Sequence, residues 1–352
     1  MERIRFERSV EKAAFFSPLA GMQFAEQVIE VRRDPLTGMN AVSSSELATK
    51  EETFYGVTDW AAADALAERT REGCFFCPEK VLETTPRYAE DVVPGGRLQR
   101  GRALVFPNLF PLAGLHAVIT YPEKHFLRPS EFTADLLEEG LGAAVEFAGR
   151  AERAYPGLEH VELCCNHMLP AGASLVHPHF QMFGGPATPW LLQLVWDRSA
   201  AFAKEHGVAY WRALVDEEIE RGERFIATDA GVTWLTAFAP TGGREVVAVI
   251  PGVSRVAELG AGHVVALASG LSKVLAWYER EGLSAFNFTL GGGPLGGDAS
   301  VHAVTLRVIA RSAFKPDYRT DDYFLQKQLG GELIFVAPEE LAATLRRDFA
   351  SG

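Results

Sequence analysis

Cysteine is scarce in this chain, and its placement excludes a disulfide framework. Four cysteines occur in 352 residues: Cys74 and Cys77 as Cys-x-x-Cys, and Cys164 and Cys165 side by side in an apolar run. Domains stapled by disulfides carry more cysteines at wider spacing. Basic runs are missing as well. The formal net charge is −12, and no cluster of Lys and Arg is dense enough to neutralise a polynucleotide backbone. No nucleic-acid partner is expected, although a small anionic ligand needs only a few local donors. No apolar stretch is long enough to span a bilayer, and Met1-Glu2-Arg3-Ile4-Arg5-Phe6-Glu7 has no apolar signal segment. The expectation is a soluble cytoplasmic protein that uses no membrane.

What is present fits an ordinary globular chain: 47% hydrophobic and 23% charged residues, enough for two medium domains or one large one. Residues 1–24 have mixed charge and read as an N-terminal arm. A strand over Phe24 to Val31 ends in a Pro/Gly turn, Asp34-Pro35-Leu36-Thr37-Gly38. Residues 40–70 are polar and weakly patterned, an expected excursion. From residue 102 the pattern sharpens: strands near 103–106, 116–121 and 160–165, with a helix over 131–154 between the last two.

The second half echoes this order. Strands are expected near 232–238 and 245–250, then a helix over 256–281, then strands near 284–290 and 301–308. Each half thus runs strand, strand, helix, strand, glycine-containing loop, strand, which points to an internal duplication joined by a helical stretch at 190–225. The expected division is an arm at 1–24, a first half at 25–190 and a second half at 191–352.

The stretch with most chemistry is His177-Pro178-His179-Phe180-Gln181. On an extended segment His177, His179 and Gln181 share one face, since side chains alternate at period two. Such a face offers a nucleophilic nitrogen, a second imidazole and an amide donor to one phosphoryl group. Upstream, Asn166 to Ser174 form a small-residue loop able to approach a phosphate. Cys74-x-x-Cys77 reads alone as a redox pair, a packing pair or half of a metal site. No thioredoxin-like βαβ context follows it. The run Gly291 to Gly297 lacks a Walker lysine and is not a P-loop.

These residues resemble the galactose-1-phosphate uridylyltransferase branch of the histidine-triad superfamily. The match is carried by Arg33-Asp34-Pro35-Leu36-Thr37-Gly38, Cys74-x-x-Cys77, Asn108, Pro122-Glu123-Lys124-His125, Asn166, Ser174 and His177-Pro178-His179-x-Gln181, in that order. The resemblance implies an α+β fold of two tandem histidine-triad-like halves, each an antiparallel sheet with packed helices. It implies His179 as the nucleophile forming a nucleotidyl-histidine, with Gln181 donating to a phosphate oxygen. Ser174 and Asn166 would hold phosphate or ribose, Asn108 would lie near the nucleoside, and Arg33 would stabilise charge there. The zinc ligands would be Cys74, Cys77, His125 and His177, a filled Cys₂His₂ set and therefore structural; no organic cofactor is implied.

The implied activity is ping-pong transfer of a nucleoside monophosphate from a nucleotide-sugar donor to a sugar 1-phosphate or similar phosphorylated acceptor. Gln181 favours it, because an amide is no ready proton source for hydrolysing the intermediate. The alternatives are a phosphorylase of ADP-glucose or dinucleoside-polyphosphate type and a non-catalytic nucleotide-binding protein. The resemblance makes 25–190 the catalytic half and 191–352 the acceptor side. Departures from the family pattern fall on both: Asn108-Leu109 stands where the family has an Asn-Asp pair in the nucleoside pocket, Met39 to Ser45 replaces a hydrophobic strand, Ser300-Val301-His302 replaces a His-x-His, and Gly330-Gly331-Glu332 lacks a tyrosine. His302 and Glu332 are the acceptor-side candidates. The oligomer is left open, a homodimer among the options.

Overall fold

A computed structural model describes residues 3–350. Among these, fourteen strands form two sheets. The smaller sheet has the order β1 (Glu7–Ser17), β2 (Gln23–Arg33), β3 (Asn40–Ser44) and β14 (Glu332–Leu333). The larger contains β4 (Leu98–Arg100), β5 (Ala103–Pro107), β6 (Leu115–Thr120), β7 (His160–His167), β8 (His179–Gly185), β9 (Phe225–Asp229), β10 (Val232–Thr236), β11 (Gly243–Ile250), β12 (Phe286–Gly291) and β13 (Val304–Ala310). Its order is β4-β5-β6-β8-β7-β12-β13-β11-β10-β9.

The duplication is visible in that order. Outward from the β7–β12 seam, β7-β8-β6-β5-β4 on one side matches β12-β13-β11-β10-β9 on the other, and every neighbouring pair is antiparallel. One long helix belongs to each half, Ala134–Ala154 and Ala261–Arg280, and the two pack against each other. A single buried apolar cluster spans both halves beneath them. Alternation along β8 sends Phe180 and Met182 into that cluster, which leaves His179, Gln181 and Phe183 on the opposite face. The same alternation along β13 buries Val304, Leu306 and Val308 and turns Thr305 and Arg307 to the face shared with His179.

Two expectations are corrected. The arm contains β1, which pairs with β2 over eleven residues, from Glu7 opposite Arg33 to Ser17 opposite Gln23. Its mixed sequence hides the strand because nearly all of β1 is exposed, so neither face is selected for apolar residues. The excursion at 40–70 is also structured: β3 is followed by short helices and by Trp60–Arg71, capped by Asp59 accepting from the Ala62 N–H at 2.9 Å.

Each long helix approaches the sheet through a glycine. A methyl at Gly140 would overlap the Tyr121 hydroxyl, and one at Gly270 would overlap the Trp234 indole. Tyr121 and Trp234 are fully buried and have little freedom to retreat. Gly270→Ala is expected to destabilise the protein by about 1–3 kcal/mol through overpacking, despite the better helix propensity of alanine. Denaturant unfolding of the two proteins side by side checks this.

Candidate active site and metal centre

His179 opens β8, opposite Thr120 of β6. Its ring is buried, and its Nδ1 lies 2.8 Å from the carbonyl oxygen of His177. A carbonyl only accepts, so Nδ1 carries the hydrogen and Nε2 keeps its lone pair. Burial lowers the pKa of His179 below the ordinary histidine value, and the bond to His177 opposes this only in part. The imidazole is therefore neutral and nucleophilic at neutral pH.

Gln181 lies two residues along the same face. Its Oε1 is 3.0 Å from His116 Nε2 and 3.4 Å from Asn108 Nδ2. The tautomer of His116 follows from its other nitrogen: Nδ1 accepts from the Leu112 N–H at 3.0 Å, so Nε2 carries the hydrogen and donates to Gln181. The amide oxygen of Gln181 is thereby occupied from behind, and its nitrogen is left to donate. Asn166 is held in the same way. One residue beyond the Cys165–Phe180 pair, it stands at the level of His179. Its Oδ1 accepts from Asn287 Nδ2 at 2.7 Å across the seam, and Asn287 Oδ1 accepts from Arg311 Nη1 at 2.6 Å. Asp321 and Asp322 anchor Arg311 in turn. A neutral nucleophile flanked by two amide donors is suited to attack phosphorus while the donors hold phosphate oxygens.

The other expected residues are dispersed. Ser174 is exposed in the loop that leads into β8. His302 precedes β13, across the seam, and lines a cavity that also reaches Cys164 and Phe183. Arg33 ends β2 with its side chain largely exposed, and Glu332 lies in β14, so both belong to the smaller sheet. Burial raises Glu332 to about 7, and its Oε1 accepts from Gln326 and from the Leu333 N–H. His167 faces the core, stacked on Phe286, where burial lowers it to about 3. Cys165 is in the core, whereas Cys164 lies on the site face.

Cys74, Cys77, His125 and His177 converge, with ligand atoms within 4.8 Å of one another and all four residues buried. Cys74 Sγ and Cys77 Sγ lie 3.3 and 3.7 Å from His177 Nδ1, and Cys77 Sγ lies 3.3 Å from His125 Nδ1. A tetrahedral ion with bonds of about 2.0–2.3 Å sets its ligand atoms about 3.3–3.8 Å apart. The outer nitrogens fit too. His125 Nε2 is 2.9 Å from the Ala67 carbonyl and His177 Nε2 is 3.0 Å from the Tyr121 carbonyl, so each Nδ1 presents a lone pair to the centre. The four residues can hold a metal ion. His177 also lends its carbonyl to His179, which ties the four-residue cluster to that imidazole through one residue.

Comparison with known proteins agrees with this architecture. No protein-family model matches the chain. An uncharacterized protein of Archaeoglobus fulgidus is 28% identical over 344 residues, 97% of this chain and 98% of that one. Among solved structures, an ADP-glucose phosphorylase from Arabidopsis thaliana with bound ADP-glucose superposes with a TM-score of 0.69 at 18% identity, covering 90% of this chain and 98% of that one. A GalT-like protein from Arabidopsis thaliana gives 0.68 at 18% identity with the same coverage. A uridylyltransferase gives 0.63 at 19%, over 72% of this chain and 86% of its own. The chain shares the α+β fold of these GalT-like, ADP-glucose phosphorylase and uridylyltransferase structures. No helix among the described residues is long and apolar enough to cross a membrane.

The metal centre gives a direct test. Freshly purified protein is expected to contain about one divalent ion per chain. Cys74→Ser is expected to lose most of that ion and to unfold at a lower temperature, as elemental analysis and thermal denaturation will read. Metal-free wild-type protein would remove this assignment.

Proposed function

We propose that the protein moves a nucleoside monophosphate from a nucleoside diphosphate sugar to a sugar 1-phosphate or similar phosphorylated acceptor, with His179 as the covalent relay. The observation that carries the reading is the Nδ1 bond from His179 to the His177 carbonyl at 2.8 Å, which leaves Nε2 as the attacking atom. In the first displacement Nε2 bonds to the α-phosphorus and the sugar phosphate leaves with the P–O electron pair. In the second, an acceptor phosphate oxygen attacks the same phosphorus and the N–P bond breaks. Gln181 and Asn166 supply amide hydrogens to the non-bridging oxygens. Asn108, Ser174 and Arg33 are assigned to the nucleotide, and His302 and Glu332 to the acceptor side.

The ion at Cys74, Cys77, His125 and His177 is read as structural zinc. Four protein ligands leave no open position, and its role is to hold the strand that presents His179. One observation favours a second reading. The likeness to an ADP-glucose phosphorylase is as high as that to uridylyltransferases, so inorganic phosphate is a credible acceptor. The two readings share the adduct and differ only in what discharges it.

Intact-mass measurement after incubation with UDP-, ADP-, GDP- and CDP-sugars should reveal one nucleotidyl adduct, whose mass names the base. Discharge of that adduct by phosphate alone, or only by a sugar 1-phosphate, separates the readings. His179→Ala should form no adduct while keeping its fold, and undiminished turnover in that variant would end the mechanism.

His116→Phe removes the donor behind Gln181 and frees its amide to rotate. Adduct formation should slow by about tenfold to a hundredfold, less than the loss of a transition-state donor itself would cost. A single-turnover rate equal to wild type would show that Gln181 needs no such support.

A further inference from the structure

The sheet face carries a cavity that spans the β7–β12 seam, reaching Phe183 of β8 on one side and β13 on the other. It encloses about 360 Å³, within the range of small-molecule sites. Its floor is formed by Glu162 and Cys164 of β7, Thr289 of β12, and Thr305 and Arg307 of β13. Its roof is the helix pair Trp190–His206 and Tyr210–Arg221, which contributes Trp196 and Trp211. Thr289 is exposed although β12 is a central strand, so the floor is open to a ligand.

The β13 wall of the cavity is the second half's counterpart of the strand that carries His179. Phe180 pairs with Ile119, three residues before Pro122, and Leu306 pairs with Ala248, three residues before Pro251. Thr305 and Arg307 therefore stand where His179 and Gln181 stand in the first half. The chemistry has been inverted. No imidazole occupies the nucleophile's station, and Arg307 is committed to Glu245, Nε to Oε1 at 2.6 Å, with Asp34 adding further negative potential. Arg307 is the one Arg or Lys of the lining among the described residues. Glu245 offsets the charge of Arg307, and Glu162 and Asp34 add carboxyl groups to the same lining.

The unspent group is an acceptor. Glu162 Oε1 is buried without a hydrogen-bond partner, and the backbone opposite makes room for the carboxyl, since any side chain at Gly291 would overlap it. Burial raises Glu162 to about 8, so at neutral pH it is mostly the uncharged acid. The titratable groups around it are Cys164, His302, Asp34 and the Glu245–Arg307 pair. Trp196 is fixed by donating Nε1–H to the Gly292 carbonyl at 2.9 Å.

We propose that this cavity binds a small organic amine, its N–H end on Glu162 and its aromatic or hydrocarbon body against Trp196 and Trp211. An ammonium group would gain from the carboxylate and from the indole faces together. Its arrival would displace the Glu162 proton to solvent and leave an ammonium–carboxylate pair.

Phenethylamine and 3-phenylpropanoate, alike in shape and opposite in charge, test this on the full chain near pH 7. Tryptophan fluorescence would report binding, and calorimetry in two buffers of different ionisation enthalpy would report proton release. The amine should bind saturably, at least about tenfold tighter than the carboxylate, with a proton released. Glu162→Gln should weaken the amine about tenfold or more and abolish proton release. Thr289→Trp, at an exposed position, should block the cavity and supplies the test if Glu162→Gln fails to fold. Equal binding of the two probes, no saturable binding, or amine affinity untouched by both substitutions would overturn the proposal. The readout is binding, and His179→Ala should bind the amine like wild type, so its outcome is separable from that of nucleotidyl transfer.

Discussion

The pairing of β7 with β12 is the constraint from which the rest of the molecule follows. Five residues of each strand meet, from Leu163 opposite Leu290 to His167 opposite Phe286. That seam turns two five-stranded repeats into one sheet, so the long helices of both halves share a single core. It also sets Asn166 beside Asn287, and through Asn287 it brings Arg311 of the second half to bear on the first. A one-residue slip would turn every side chain of β12 to the wrong face and undo both effects.

Two amides flank His179, and both are oriented by the same physical rule. An amide side chain can present either end, and a site that needs a donor must occupy the oxygen. His116 does this for Gln181 and Asn287 does it for Asn166. The donors behind the oxygens are themselves fixed: His116 by the Leu112 N–H that decides its tautomer, Asn287 by Arg311 and its two aspartates. Rotational freedom that would otherwise be lost on binding is removed when the protein folds.

Much of this was legible in the sequence, and the exceptions share a cause. His177, His179 and Gln181 could be read because they are close in sequence and each acts with its own side chain. The repeat could be read because both copies keep the same order of apolar strands and helix. His116, Asn287 and Arg311 could not, since each acts through a residue 24 to 121 or so positions away and has no local signature. The β1–β2 hairpin was hidden for a different reason: an exposed ribbon lacks the alternation that betrays a half-buried strand. The convergence of Cys74 and Cys77 with His125 and His177 came from resemblance, because the gaps of 48 and 100 residues say nothing about proximity.

His177 serves two sites by two different means, its ring facing the sulfurs and its carbonyl accepting from His179. Only the ring is written in the genetic code as histidine; every residue brings a carbonyl. A change of this side chain would dismantle the ligand set and still leave the carbonyl that sets the tautomer of His179. The four-residue cluster and the tautomer of His179 are therefore free to change at different rates, although both run through a single residue.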